Sequence, residues 1–428
     1  MKNIISLIKM ANVMKIKRHF NTTQFAIPKF IVVAFFAMII FIGCNEEDKI
    51  TSLWNGDYTP SAAPVITSLA PANQGLAGIE EVTITGSNFS PNVGENFVYF
   101  GNAKGTVLQA TTTSLLVKAP NFVGDSLNVR VVVQNALSTS NTIQYKLLSA
   151  FRVAVEFGTG FSPYGITFDN AGNMYYFFQG IKKVTPAGDT SSYAPKGAET
   201  FWASLKFGPD GALYATRSVA GIFRILPGAT PASWVTSSAG IGSTNDFDFD
   251  VNGNMWAAGN ATTISRIKQD KSVKTFASPS FLVRGVRVYN GYVYFAGKKD
   301  NKEGIWRGEI LANEDLGPLE QYFDFTAAGY SGDATSLAFS SDGICYLGVN
   351  TQLNTGVEQI IVVRNDGTSN ILYPGVLDPK GKMKCQSLFW GPGPHIYYVR
   401  QIANTTEPDK EAIVEVYIGK NSAPYYGN

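Results

Sequence analysis

Residues 167–176 read TFDNAGNMYY, and this stretch predicts a β-hairpin. A short apolar strand leads into a turn built on Asn-x-Gly, and the second strand opens with Asn and becomes aromatic. Glycine suits the turn because it adopts positive φ without steric cost. On this interpretation Asp169 helps to form the turn, while Tyr175 and Tyr176 pack within the sheet.

The hairpin recurs five more times along the chain. Aligned on the turn glycine, the relatives are KFGPDGALYA (206–215), DFDVNGNMWA (248–257), RVYNGYVYFA (287–296), AFSSDGICYL (338–347) and LFWGPGPHIYYV (388–399). Successive turn glycines are 39, 42, 38, 52 and 50 residues apart. Self-similarity at this period is typical of β-propeller blades.

The strands around the hairpins predict a closed ring. A third strand-like run follows every hairpin, and a fourth follows five of them. The sixth unit lacks its fourth strand, which FRVAVEF at 151–157 can supply from the beginning of the domain. Such a closure removes the exposed edges that an open array would carry. We therefore expect an all-β chain with a six-bladed β-propeller over residues 150–420.

A second domain is expected over residues 63–148, where short alternating strands are divided by Gly, Pro and Asn. This spacing indicates an antiparallel sandwich, in which Gly86 relieves a strand bend and Phe89 fills the core. The landmarks resemble the IPT/TIG family of immunoglobulin-like domains. They are PVITSLAP (64–71) as opening strand, VTITGSNF (82–89) as glycine-aromatic signature, VYFG (98–101), LLVKAP (115–120) and NTIQY (141–145).

The repeats themselves also resemble a known class of propellers. GITFDNAGNMYY (165–176) and IKKVTPAG (181–188) are similar to NHL-type and related six-bladed propellers, which include streptogramin lyase, gluconolactonase and TolB-like proteins. The resemblance covers the whole segment 150–420. Its motifs are structural, so they imply the fold and leave the activity open.

Residues 1–43 are expected to be a lipoprotein signal peptide. A basic stretch precedes the apolar run FIVVAFFAMIIFIG (30–43), which is short for a bilayer span and suits a signal peptide. FIGC (41–44) resembles a bacterial lipobox, which implies lipidation of Cys44. The alternative is an uncleaved anchor helix that ends at an incidental cysteine.

The residues after Cys44 indicate where in the cell the protein is located. NEED (45–48) is an acidic cluster that resembles the surface-export signal of Bacteroidetes lipoproteins, although a solvated linker would look the same. Residues 44–62 are polar and turn-rich, and we interpret them as a tether. The expected location is the outer membrane, with lipid on Cys44 as the membrane contact and the protein exposed at the cell surface.

Composition and charge exclude several functions. The formal charge is +2, but residues 1–43 hold six Lys or Arg and no acid, so the remainder has 29 basic against 33 acidic residues. This balance gives no electrostatic footprint for nucleic acid. The two histidines, His19 and His395, cannot supply a histidine-based metal or triad site unaided. Cys345 and Cys385 are expected to be buried thiols rather than a disulfide.

The candidate ligand site is a ring of residues just before the apolar first strands. In NHL-like families these strands are innermost, and ligands sit on the face where they begin. Two aromatics, two carboxylates, an arginine and an amide could stack on a sugar ring and hydrogen-bond its hydroxyls, although each alone could be a rim residue. The six are Tyr164, Trp202, Asp246, Arg284, Asp333 and Gln386.

No metal, cofactor or catalytic residue is assigned. Gluconolactonase-like enzymes hold a divalent metal with a Glu near the first blade, where this chain reads FSPYGI (161–166) without a carboxylate. Asn245, Asp246 and Asp333 could still contribute oxygen ligands. A calcium loop at DFDFDVNGN (246–254) is a further alternative, although the spacing also suits a strand that enters an Asx turn.

Three functions remain open. The favoured one is a non-catalytic surface lipoprotein that binds a glycan or other nutrient through the propeller, with the immunoglobulin-like domain as stalk. The second is an adhesion or interaction protein whose partner is another envelope protein. The third is a metal-dependent lactonase or lyase centred on the channel. The sequence leaves catalysis undecided and favours its absence.

Overall fold

The computed structural model describes residues 59–158, 163–198, 201–350, 359–377, 383–402 and 410–427. These ranges are all-β, with 33 strands and two short 3-10 helices, Val93–Glu95 and Ser237–Ala239. Residues 1–43, Cys44 and the tether up to residue 58 lie outside the described residues, and so do the expectations attached to them. Within the described ranges no helix is long and apolar enough to cross a membrane.

Nine strands form a sandwich of two sheets near the beginning of the described chain. One sheet has the order β1-β3-β7-β6 and the other β2-β9-β8-β4-β5, and an apolar core fills the space between them. The strands are β1 (Val65–Ala70), β2 (Gln74–Leu76), β3 (Glu81–Ser87), β4 (Asn96–Phe100), β5 (Ala103–Lys104), β6 (Thr106–Ala110), β7 (Ser114–Lys118), β8 (Gly124–Val133) and β9 (Ile143–Leu148).

Phe89 has the core role that the sequence predicts, and Gly86 is required by a close approach of two strands. A Cβ added at Gly86 would lie 1.9 Å from the carbonyl oxygen of Val65, next to the register shift between Ile66 and Ser68. Only glycine tolerates such a close approach of two backbones. Phe89 is buried in the core between the sheets.

The end of the predicted tether is attached to the sandwich. The backbone N–H of Ser61 donates to the carbonyl oxygen of Asn135 at 2.9 Å, and Ser61 pairs with Ala136 in a parallel bridge. This bridge satisfies backbone groups that a free tether would leave to water.

Six four-stranded antiparallel sheets occupy residues 151–417, and we number them in chain order of their first strands. Sheet 1 holds β11 (Ile166–Phe168), β12 (Met174–Phe177), β13 (Ile181–Val184) and β14 (Thr190–Ala194); sheet 2 holds β15 (Ser204–Phe207), β16 (Leu213–Thr216), β17 (Gly221–Ile225) and β18 (Ala232–Thr236). Sheet 3 holds β19 (Asp246–Phe249), β20 (Met255–Ala258), β21 (Thr263–Ile267) and β22 (Val273–Ala277); sheet 4 holds β23 (Phe281–Tyr289), β24 (Tyr292–Lys299), β25 (Lys302–Glu309) and β26 (Glu320–Asp324). Sheet 5 holds β27 (Asp333–Phe339), β28 (Cys345–Asn350), β29 (Ile360–Val363) and β30 (Ser369–Ile371); sheet 6 holds β31 (Met383–Trp390), β32 (His395–Ile402), β33 (Ala412–Tyr417) and β10 (Phe151–Glu156).

Sheet 6 is completed by the strand that precedes sheet 1. β10 pairs antiparallel with β33, with Phe151 opposite Val416 and Glu156 opposite Ala412. This pairing confirms the expectation that residues 151–157 supply the missing strand. The first strands of successive sheets contact one another in cyclic order, from β11 through β31 and back to β11. The arrangement is therefore propeller-like, with the first strands around its centre.

The six turn glycines all have positive φ, as the hairpin interpretation requires. Their φ values range from 61° at Gly393 to 86° at Gly343. The acid before the turn also has a local role, because Oδ1 of Asp169 accepts the backbone N–H groups of Ala171 and Asn173 at 3.0 and 2.9 Å. Asp250 accepts the equivalent backbone bonds in sheet 3. These carboxylates are turn-formers.

Apolar clusters fill the spaces between adjacent sheets. Cys345 and Cys385 belong to these clusters and are both free thiols, as the sequence predicts. Burial raises the pKa of both thiols, that of Cys385 to about 12. They therefore behave as small hydrophobic residues.

Candidate functional site

A cavity of about 450 Å³ lies at the centre of the ring, among the first strands of the six sheets. Five of the six residues predicted from the sequence line it. They are Tyr164, Asp246, Arg284, Asp333 and Gln386. Its volume falls within the range of about 300–1,000 Å³ that is usual for small-molecule sites.

Trp202 is not at the cavity, contrary to the sequence expectation. Its side chain is fully buried between sheets 1 and 2, where it meets Phe223 edge-on at 5.0 Å between ring centroids. The neighbouring Phe201 lines the cavity instead and is 37% exposed. Neighbouring residues in an extended segment face opposite sides, so an error of one position exchanges a core residue for a surface one.

Phe201 and Tyr164 form an aromatic pair at the exposed rim of the cavity. Their ring centroids are 5.6 Å apart and the ring planes are inclined by 52°. Tyr164 is also 37% exposed, so both rings keep a face toward solvent. Exposed aromatic rings beside polar groups can stack against the apolar face of a flat ligand.

Asp246 is tied to a buried lysine that sequence reasoning missed. Nζ of Lys206 lies 3.0 Å from Oδ1 of Asp246 and donates to the backbone oxygens of Phe247 and Val286. Oδ1 of Asp246 also accepts the Ser204 hydroxyl at 2.6 Å, and Oδ2 accepts the N–H of Val286 at 2.7 Å. The carboxylate and the ammonium thus neutralise each other inside the cavity wall.

Arg284 in sheet 4 joins two carboxylates at the cavity. Nη1 donates to Oε1 of Glu303 at 2.6 Å, and Nη2 donates to Oδ1 of Asp333 at 2.9 Å. Glu303 is buried, and its Oε1 also accepts the N–H of Ala334 at 2.8 Å. Burial raises the pKa of Glu303, and the charge of Arg284 opposes this shift. The Asp333 side chain remains 47% exposed and presents acceptor capacity to a ligand.

Arg287 and Asp248 form a second buried pair deeper in the wall. Nη1 of Arg287 donates to Oδ2 of Asp248 at 2.8 Å, and that oxygen also accepts the N–H of Val288 at 2.7 Å. The guanidinium lies 5.4 Å from the centroid of the Tyr425 ring, which lines the cavity. Burial raises the pKa of Tyr425 well above its ordinary value, so its hydroxyl stays a donor.

One sequence signal could have revealed these missed residues. Lys206, Asp248 and Arg287 are charged residues at buried positions of the first strands. A charge in such a position requires a partner in the interior. Tyr425 follows the last repeat and belongs to no repeated motif, so the repeat pattern gave no indication of it.

Neutral polar groups complete the lining. The amide of Gln386 is half-buried at the cavity, and Nδ2 of Asn245 donates to the carbonyl oxygen of Val283 at 2.7 Å. The Thr335 hydroxyl donates to the carbonyl oxygen of Cys385 at 2.9 Å. These bonds hold Asn245 and Thr335 in place, and the polar atoms of the three side chains can bind a polar ligand.

The residues considered for metal or base chemistry do not all converge on the cavity as a catalytic group would. His395 is at the start of β32, where its ring contacts Tyr417 at 5.5 Å and its Nε2 lies 3.7 Å from Oε1 of Glu415. It is absent from the described cavity lining. Among the residues that the structure describes, no three His, Cys, Asp or Glu side chains are grouped so that they could hold a metal ion.

The site combines exposed aromatic faces with internally paired charges. Each cationic side chain described along the cavity, Lys206, Arg284 and Arg287, is matched to a carboxylate at 3.0 Å or less. Such pairs have little charge left to bind an ionic ligand, while their unused lone pairs can bind hydroxyls. The chemistry suits a neutral, hydroxyl-rich molecule with one apolar face.

Comparison with known proteins identifies the domain near the beginning of the chain. Residues 64–146 match the IPT/TIG domain family model, and this sandwich is therefore an IPT/TIG domain. No curated protein sequence matches the chain.

The fold is similar to those of several crystal structures. A candidate phosphatase from Bacteroides thetaiotaomicron is 14% identical, with a TM-score of 0.54 over 84% of this chain and 98% of that one. An auxiliary nutrient-binding protein from the same organism is 12% identical, with a TM-score of 0.45 over 84% and 99%. Virginiamycin B lyase from Staphylococcus aureus is 16% identical, with a TM-score of 0.43 over 58% and 81%. At these identities the likeness concerns the fold alone.

Proposed function

We propose that this protein is a non-catalytic surface lipoprotein that binds a glycan or other nutrient ligand in the central cavity. The observation that carries the proposal is the rim pair Tyr164–Phe201 beside charges that are already paired. Aromatic stacking with hydrogen bonds from fixed polar groups is the usual means of binding a sugar ring.

The same proposal assigns the rest of the chain. The six sheets would be the six blades of an NHL-like propeller over residues 150–420, and the sandwich over 63–148 its stalk. Residues 1–43 would be the signal peptide, and residues 44–62 the tether from an acylated Cys44. The lipid would hold the protein in the outer membrane, with the cavity exposed at the cell surface.

The arrangement of the carboxylates favours binding over catalysis. Asp246 accepts two hydrogen bonds and pairs with Lys206, so its carboxylate is fixed in the cavity wall. Asp333 is half-exposed and paired with Arg284. Both carboxylates are thus already engaged by protein cations, and their remaining lone pairs can accept hydrogen bonds from ligand hydroxyls.

Isothermal titration against a panel of neutral polysaccharides and their oligosaccharides tests the ligand proposal. We expect saturable binding that weakens in the Phe201→Ala variant. Phe122→Ala is the matched control, because Phe122 is 46% exposed and lies in the IPT/TIG domain. Product analysis of the same mixtures should show intact saccharide. Conversion of the ligand would contradict the non-catalytic assignment, and a stable protein partner without saccharide binding would favour adhesion.

Metabolic labelling with a radioactive fatty acid tests the anchor separately. We expect label on the wild-type protein and none on Cys44→Ala, with Cys345→Ala as the control that keeps it. Protease accessibility on intact cells then tests surface exposure. Protection of the lipidated protein until the outer membrane is opened would place it on the periplasmic side.

A further inference from the structure

The segment that follows β33 runs back across the centre of the ring. Its backbone is attached first to sheet 5, where Ser341 N–H donates to the carbonyl oxygen of Asn421 and Ala423 N–H donates to that of Phe339, both at 2.8 Å. Ser422 and Ser340 form an antiparallel bridge at the same place. Residues 421–427, which follow the expected domain end at residue 420, are thus packed against the sheets.

The segment then reaches the opposite side of the ring. Nη2 of Arg287 in sheet 4 donates to the carbonyl oxygen of Pro424 at 2.8 Å, and the Tyr425 hydroxyl donates to that of Phe207 in sheet 2 at 3.3 Å. The Tyr425 ring also meets that of Phe389 in sheet 6, at 5.4 Å. Residues 421–427 thus contact the first strands of at least four sheets.

All of these contacts are near the ends of the first strands. Phe207 and Phe339 are the last residues of β15 and β27, and Phe389 is the penultimate residue of β31. The exposed rim is at the other end, where Asp246 and Asp333 begin β19 and β27. Residues 421–427, which we call the floor segment, therefore lie across the end of the ring opposite the rim.

The floor segment changes what the cavity can hold. Ser422 and Tyr425 are themselves part of the lining, so the space ends on them. A Cβ added at Gly427 would lie 2.2 Å from the carbonyl oxygen of Phe207, which shows how closely the segment is packed. A space of about 450 Å³ that is closed at one end has room for about two sugar rings.

We propose that the cavity binds saccharide ends: the terminal unit of a glycan chain or a free mono- or disaccharide enters from the rim and stops at Tyr425. This inference rests on the proposed function and sharpens it. A polymer cannot thread through a floor that is hydrogen-bonded to the surrounding strands, so internal chain segments are excluded from the cavity.

The test compares ladders of malto-, cello-, xylo- and manno-oligosaccharides with size-fractionated amylose, xylan and mannan, by titration with the full-length protein. We expect the affinity to rise up to two or three units and then to stay within about twofold. We also expect at most one protein bound for each chain end, whatever the chain length. A stoichiometry that grows with polymer length would overturn end binding and leave the proposed function intact. Absence of binding for every ladder and polymer would overturn both.

A variant of the floor gives an independent measurement. Tyr425→Ala opens the bottom of the cavity, and we expect about a tenfold loss of affinity for the shortest ligand that binds. Tyr417→Ala is the control, since Tyr417 is 39% exposed at the end of β33 in sheet 6 and does not line the cavity. Unchanged affinity in a folded Tyr425→Ala protein would contradict the role of the floor. If this variant does not fold, titration of the oligosaccharide series with the unmodified protein still tests end binding.

Discussion

Arg287 of sheet 4 donates a hydrogen bond from Nη1 to Oδ2 of Asp248 in sheet 3, at 2.8 Å, and both side chains are buried. The same guanidinium donates to the carbonyl oxygen of Pro424 in the floor segment. One buried ion pair therefore links two neighbouring sheets to the segment that closes the cavity.

Removal of one partner of this pair should destabilise the protein strongly. Asp248→Ala leaves the Arg287 charge buried without its carboxylate, which costs about 3–5 kcal/mol in comparable cases. Urea unfolding measures the change in the free energy of unfolding. Asp300→Ala is the control, because Asp300 pairs with Lys299 at the surface with 64% of its side chain exposed, and such pairs contribute about 1 kcal/mol or less. Equal effects in the two variants would contradict the account.

Phe201 and Trp202 should respond in opposite ways to truncation. Trp202→Ala removes a fully buried ring from the core between sheets 1 and 2, and we expect a loss of about 3–5 kcal/mol in the free energy of unfolding. Phe201→Ala removes a partly exposed rim ring, so we expect a loss of about 1 kcal/mol or less together with weaker saccharide binding. Thermal unfolding and titration of both variants check this. A larger binding defect in folded Trp202→Ala than in Phe201→Ala would restore Trp202 as the ligand residue.

Glu303 should make stability depend on pH. Burial raises its pKa above the ordinary value of 4.5, so the folded state holds this proton more tightly than the unfolded state does. The contribution of Glu303 to stability is therefore fully present below pH 4.5 and is lost as the pH rises through the raised pKa. Unfolding free energies measured across this window for wild type and Glu303→Gln isolate the effect. We expect the unfolding free energy of the wild type, minus that of Glu303→Gln, to fall as the pH rises. A difference that does not change with pH would refute the raised pKa of Glu303.

A substitution at Gly211 tests whether the repeated turn requires a residue with positive φ. Its φ is +75° and nothing lies within 4 Å of an added Cβ, so Gly211→Ala tests backbone strain without a clash. We expect a loss of about 1–2 kcal/mol. Gly221→Ala in the same sheet is the control, since that glycine has no positive φ and its nearest contact would be an ordinary 3.6 Å. Similar losses in both variants would show that φ is not the cause.

The repeated hairpins could be predicted from sequence because their determinants are local. Gly172 and its equivalents need positive φ within a single turn, and Asp169 bonds only residues up to six positions away. Strand alternation is likewise a property of neighbouring residues. Counting strands in each unit was then enough to predict that β10 pairs with β33.

The candidate site could be predicted only in part. Tyr164, Asp246, Arg284, Asp333 and Gln386 were found because they lie just before or in the first half of the innermost strands. Trp202 was misplaced because an irregular segment before β15 offers no periodicity to decide which of two adjacent aromatic rings faces inward. Glu303 was missed because it lies on the third strand of its sheet, outside the ring of residues considered.

The sequence by itself determined the all-β class, the repeat and the turn chemistry, because each depends on residues close together in the chain. Only the tertiary structure decided which charges are paired and where the cavity ends. The Tyr425 hydroxyl meets the Phe207 carbonyl across 218 residues, and Lys206 meets Val286 across 80. Contacts of that separation arise from closure of the ring, and no local pattern encodes them.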